Sequence, residues 1–198
     1  MKPIVVKTAL LLVLNVIIAS NLAIAQFEQK FTLQFAGGYV KSISPEYFTE
    51  VFEDGFSVDA GAQYNFSRST SLVVLVKYSK YFANEDTFLG GLEAYYNLLG
   101  ISLCPKFRFN PDKRVNPYIF GGVSINYVSF TLGGTSFQND SPASFGVTGG
   151  IGLDFRITDN FALFWQAGAN TIKPQRDWFS AFYTQVGINI SILKSKSL

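Results

Sequence analysis

The chain has 198 residues, 16 of them basic and 14 acidic, with no histidine, one cysteine, 15% charged residues and 16% aromatic ones. Charge this sparse and this balanced excludes nucleic acid as a partner, and the lone Cys104 excludes an internal disulfide framework. Without histidine, most general acid–base and imidazole–metal chemistry is excluded too, because no other side chain titrates unperturbed near neutral pH.

In chain order, the first element is a leader. Lys2 and Lys7 give a positive start, an apolar stretch runs from Ala9 to Ile18, and Ala23-Ile24-Ala25 closes it with small-x-small spacing. This pattern predicts a cleaved signal peptide over 1–25 and a single domain over 26–198. The stretch is interrupted by Asn15 and Ser20-Asn21, which makes it too short for a membrane anchor. Gln26 rather than a cysteine follows the site, so no lipid anchor is expected. Past the leader there is no run of ~18 apolar residues, and no helix is expected to span a membrane.

The remaining chain alternates with a period of two, the period of a strand whose side chains point to opposite faces. Eight segments carry the pattern, at 30–40, 56–66, 71–81, 99–109, 116–128, 143–156, 161–170 and 181–193. In the sixth, Phe145, Val147, Ile151, Leu153 and Phe155 share one face; Ser144, Thr148, Asp154 and Arg156 share the other. In the last, Val186, Ile188, Ile190 and Ile192 oppose Gln185, Asn189 and Ser191. Across all eight the apolar face is essentially free of charge, and the other holds Gly, Ser, Thr, Asn and Gln with a few ions. A soluble barrel would put charge outside and large apolar groups inside. Apolar out and polar in is the membrane arrangement, and an even, closed ladder pairs every backbone group in lipid.

The links alternate in length. Short ones at 67–70, 110–115 and 157–160 carry turn chemistry such as Asn110-Pro111-Asp112. Longer ones fall near 41–55, 82–98, 129–142 and 171–180. This asymmetry predicts both termini on the short-turn, periplasmic side. Aromatics near the strand ends suggest two interface girdles, with Phe66, Phe109 and Phe161 below and Tyr39, Phe56, Tyr127 and Phe182 above. Pro105 interrupts the fourth segment and is read as a bulge, since proline cannot donate to the ladder.

The stretches SLCPKFRF, VNPYIFGGVSINY and GGIGLDFRITDNFALFWQAG resemble the fourth to seventh strands of the small porin-like barrels related in plan to OmpA- and OmpX-type proteins. The resemblance covers the whole chain past the leader. It implies an all-β, eight-stranded antiparallel transmembrane barrel of the bacterial outer membrane, and it implies no shared activity. Phospholipase, omptin-like protease and lipid-A-modifying barrels are similar in fold but rely on a histidine that is absent here. The Lys194-Ser195-Lys196-Ser197-Leu198 end departs from the aromatic terminus usual among such chains.

No catalytic, cofactor or metal site is predicted. Cys104 faces the lumen as a packing residue, and Gly121-Gly122 and Gly149-Gly150-Ile151-Gly152 mark close packing within strands rather than a nucleotide loop. Two constellations remain. Inside are Asp59, Lys77, Lys106, Arg108, Asp154 and Arg156, expected as a structural ion network. If Phe66 lies opposite Thr70, Asp59 falls opposite Lys77, while Asp154 shares a level with Lys106, Arg108 and Arg156. On the long-loop rim, Glu46, Glu50, Glu53 and Asp54, then Glu85, Asp86 and Glu93, lie among Tyr47, Phe48, Phe52 and other aromatics as an interaction surface. The expected function is non-enzymatic: a structural or surface-interaction barrel, with outer-membrane lipid and an extracellular ligand or surface protein as partners. A narrow channel for small solutes is the alternative.

Overall fold

In a computed structural model, described over residues 31–83, 94–132, 135–138, 143–173 and 178–192, each of the eight alternating segments forms a strand. These are β1 (Phe31–Ser44), β2 (Phe52–Asn65), β3 (Thr70–Ala83), β4 (Ala94–Arg108), β5 (Val115–Leu132), β7 (Ser144–Arg156), β8 (Phe161–Ile172) and β9 (Phe179–Ser191). A short β6 (Thr135–Gln138) folds back on the end of β5, and a one-turn helix α1 (Glu46–Thr49) lies between β1 and β2. The leader expected over 1–25 lies outside the described residues.

Every pairing is antiparallel, and β1 meets β9 to close the wall into an eight-stranded barrel with β6 outside the closure. Partners can be followed once round. Phe120 pairs with Gly150, Gly150 with Gly168, Gly168 with Tyr183, and Tyr183 with Val40. Val40 pairs with Gly55, Gly55 with Tyr81, Tyr81 with Tyr96, and Tyr96 with Phe130. The circuit returns to β5 ten residues further on. Such a stagger tilts strands by roughly 35–45° and leaves an interior that side chains can fill.

The short links are built by their own side chains. Ser67 Oγ accepts from the amides of Ser69 and Thr70 at 3.2 and 3.0 Å. Thr158 Oγ1 accepts from Asn160 and Phe161 at 3.3 and 3.1 Å, and Asn116 Oδ1 accepts from the Asn110 amide at 3.2 Å. At the other end the strands run beyond the expected limits. β1 continues to Ser44 and β2 starts at Phe52, so the first long link shrinks to a few residues around α1. Backbone ladders continue there past the last alternating apolar position, which is why periodicity alone ends the strands early.

Pro105 is not a bulge. It pairs with Leu72 in unbroken register, and the β4–β5 register is the same on both sides of a gap between Leu103 and Lys106. Beside that gap, Gly122 of β5 stands across from Cys104. A Cβ there would stand 2.0 Å from the Leu103 carbonyl oxygen, so only glycine allows this approach. Register shifts occur instead near the long-loop rim, between Ser42 and Ser44 and between Phe52 and Gly55.

The outward face carries Phe35, Val58, Val74, Val76, Ile101, Leu103, Ile119, Val123, Val147, Ile151, Leu163 and Val186, all exposed. The inward face buries Gln34, Gln63, Asn116, Asn126, Gln166, Gln185 and Asn189. The barrel is therefore turned inside out relative to a soluble one.

Candidate functional site

The lumen divides into two halves of different chemistry. At the short-turn end a cavity of about 570 Å³ opens, lined by Arg68, Arg114, Asn160 and the inward residues of the lower strands. Its inner wall is an ion cluster around Asp154 on β7, which is 7% exposed. Lys106 on β4 lies 3.0 Å from its carboxylate and Arg108 Nε 3.1 Å. Asn189 of β9 donates to the same group at 3.2 Å. Arg108 also donates to Asn65 Oδ1 and Ser71 Oγ at 3.2 and 2.8 Å. Two bases and an amide thus hold one buried acid.

Arg156, expected as the third base of this cluster, is not in it. Its side chain is exposed and donates to the Pro111 carbonyl in the neighbouring turn at 2.6 Å. It sits two residues past Asp154 at the strand end, where the guanidinium reaches water and turn backbone at no desolvation cost.

Higher in the lumen, the β2–β3 register pairs Asp59 with Lys77, with Phe66 N–H bonded to the Thr70 carbonyl at the base of that hairpin. Asp59 and Lys77 are 3.9 Å apart, and Lys77 Nζ sits 3.3 Å from the centroid of the Tyr183 ring. Lys106 likewise lies 3.6 Å from the Tyr118 ring centroid, so each buried ammonium has both a carboxylate and an aromatic face. Between the pairs, Tyr118 donates to Gln166, Gln166 to Gln185, and Gln185 to Ser57, at 3.2, 2.8 and 2.9 Å. Glycine makes room for this crossing: a Cβ on Gly152 would stand 2.4 Å from the Tyr118 hydroxyl. Cys104 is fully buried against Val73 and Leu75, a packing residue.

Asp59→Ala is expected to destabilise the barrel, and adding Lys77→Met is expected to restore part of the loss. The first change strands a buried ammonium and the second removes it. Urea midpoints of the two variants in detergent check this.

The long-loop half is apolar, which alternation does not foretell. Val40, Phe52, Tyr81, Ala94, Leu98, Ile172, Phe179, Ala181 and Tyr183 form one buried cluster. Into it α1 inserts Phe48, whose ring centroid lies 5.1 Å from Phe52, 4.6 Å from Tyr96 and 4.7 Å from Phe179. The sequence suggests an exposed loop surface for Phe48 and Phe52; both close the barrel from above instead. Burying aromatic area is worth more than presenting it to water, and a short link leaves them nowhere else to fold.

The acidic loop residues disperse. Glu46 and Glu50 are exposed beside Tyr47 on and after α1. Asp54 is not on the loop but on the outer face of β2, where the Tyr39 hydroxyl donates to it and Lys41 lies 3.8 Å away. Glu53 lies in β2, with its side chain outside the description. Glu85, Asp86 and Glu93 lie outside the described residues. Among the described residues no group of three or more acids or thiols could hold a metal.

Compared with known proteins, residues 9–189 match the family described as the outer membrane protein beta-barrel domain. The chain belongs to this family. It is a bacterial outer-membrane β-barrel, and the apolar exterior is its lipid-facing surface. Neisserial surface protein A superposes with a TM-score of 0.64 at 20% identity, over 82% of this chain and 97% of that one. A major outer membrane protein from Thermus thermophilus gives 0.55 at 11% identity, over 83% and 99%. The outer membrane protein OprG from Pseudomonas aeruginosa gives 0.53 at 12%, over 83% and 96%. At these identities the likeness is one of fold. No curated protein matches the chain.

Proposed function

We propose that this family member is a closed, non-enzymatic wall element of the outer membrane that works through its long-loop rim and does not conduct. The filled lumen supports this reading. Any solute rising from the short-turn cavity meets Asp154 held between Lys106 and Arg108, and beyond it the Phe48–Phe52–Phe179 cluster. The termini and the short turns face the periplasm and α1 faces outward, as the loop-length asymmetry favours. The exposed Glu46, Tyr47 and Glu50 then form part of the surface offered to an extracellular ligand or protein partner.

Reconstituted in planar bilayers, the barrel is expected to give no discrete conductance steps. Steady steps favouring anions would overturn the closed reading in favour of a narrow channel. Cysteines placed at Tyr47 and at Asp112, in a Cys104→Ser background, test the polarity. An impermeant thiol reagent on intact cells is expected to modify the first and spare the second; the reverse result would invert the barrel.

A further inference from the structure

Among the described residues of β3, β4 and β5, the lipid-facing surface is uncharged at the short-turn edge and carries a charge at the long-loop edge. At the short-turn edge, β3, β4 and β5 point Thr70, Leu72, Phe107 and Val115 outward. At the long-loop edge the outward residues include Lys80 on β3. From Thr70 to Lys80 the strand climbs ten positions; at about 3.3 Å each and a tilt of about 40° that is about 25 Å, the height of a barrel's apolar band. Lys80 therefore stands at headgroup level, where an outward charge costs far less than it would at mid-bilayer.

The surroundings of Lys80 form a built site. Its Nζ lies 3.4 Å from the Tyr95 ring centroid and 5.5 Å from that of Phe82, and those two rings stand edge to face at 5.9 Å. Directly across the ladder is Asn97, whose Oδ1 accepts from the Tyr78 hydroxyl at 2.8 Å. That bond leaves the Asn97 amide N–H groups as donors on the same face. Among the described residues no carboxylate lies within ion-pair distance of Lys80. The outward acid on β2, Asp54, is already engaged by Lys41 and Tyr39. An ammonium and an amide side by side, held by aromatic rings at the lipid headgroups, are complementary to a phosphate.

We propose that Lys80 and Asn97 bind the phosphate of an outer-leaflet glycolipid, with its sugar ring against Tyr95 and Phe82. The inference rests on the proposed polarity, which puts this edge in the outer leaflet. The test uses the full barrel refolded in detergent, with native mass spectrometry reading the lipid retained. The probes are diphosphorylated lipid A, dephosphorylated lipid A and phosphatidylglycerol.

Lys80→Gln is expected to cut retention of diphosphorylated lipid A about fivefold and to leave the dephosphorylated lipid unchanged. Lys80→Arg should keep the wild-type level, and so should Lys113→Gln in the opposite turn. Folding of each variant is verified by its heat-shifted gel mobility. Equal retention of diphosphorylated lipid A by wild type and Lys80→Gln would overturn the proposal. So would phosphatidylglycerol retained as strongly as lipid A and lost equally in the variant. Binding in detergent does not depend on polarity, so a failure here is distinguishable from an inverted barrel in the labelling experiment.

Discussion

Asp154→Ala is expected to lower barrel stability by about 3–5 kcal/mol, the usual cost of removing one partner from a buried charge set. Lys106, 2% exposed, would keep its ammonium beside the Tyr118 ring with no carboxylate. Arg108 would retain only Asn65 and Ser71 as acceptors, and the Asn189 amide would lose its acceptor as well. The control is Asp112→Ala. Its pair with Arg68 is short, at 2.6 Å, but both side chains are more than half exposed, at 63% and 71%. Loss of such a surface pair costs under about 1 kcal/mol. Urea midpoints in detergent compare the two. An Asp154→Ala barrel as stable as wild type, with ion conductance gained, would mean a wet interior and a working channel.

Phe52→Ala should cost as much for an apolar reason. Phe52 is 6% exposed and its ring meets Phe48 at 5.1 Å, Phe130 at 5.8 Å and Tyr96 at 6.0 Å. Truncating a buried phenylalanine to alanine removes its transfer energy and leaves a void, together about 3–5 kcal/mol. Of the neighbours that would have to collapse into the void, Tyr96 and Phe130 sit on the hydrogen-bonded wall, which limits relaxation to Phe48 on α1. The expected readout is a lower urea midpoint, with bilayers still silent because the Asp154 cluster is intact. Combining Phe52→Ala with Asp154→Ala should add the two losses, since the sites share no partner. It should also be the variant that first conducts. A Phe52→Ala barrel with unchanged stability would mean that the upper cluster does not hold α1 in place.

Much of this architecture is legible in the sequence because its determinants are local. A period of two sorts each residue to a face without any knowledge of its neighbours in space. The faces of β7 and β9 read from Phe145–Phe155 and Val186–Ile192 follow from that alone. The turns at Ser67 and Thr158 are likewise written in a few consecutive residues, whose side chains bond the adjacent amides. The Asp59–Lys77 pairing belongs to the same class, because a tight hairpin transmits register along two consecutive strands.

What the amino-acid order could not express was how inward residues meet across the lumen. Lys106 and Asp154 lie on strands that are not neighbours in the wall, and their contact depends on the ten-residue stagger that closure imposes. Arg156 has the same parity as Asp154, yet it leaves the cluster because it stands at the rim, where water and the Pro111 carbonyl compete for it. Pro105 reads as a defect until the unbroken β3–β4 register is seen running through it. Phe48 and Phe52 read as a loop surface until the barrel supplies an apolar interior to receive them. Alternation along one strand therefore determined which way each side chain points. Closure of eight strands decided what it finds there, because height within the lumen is a property of the whole circuit and of no single segment.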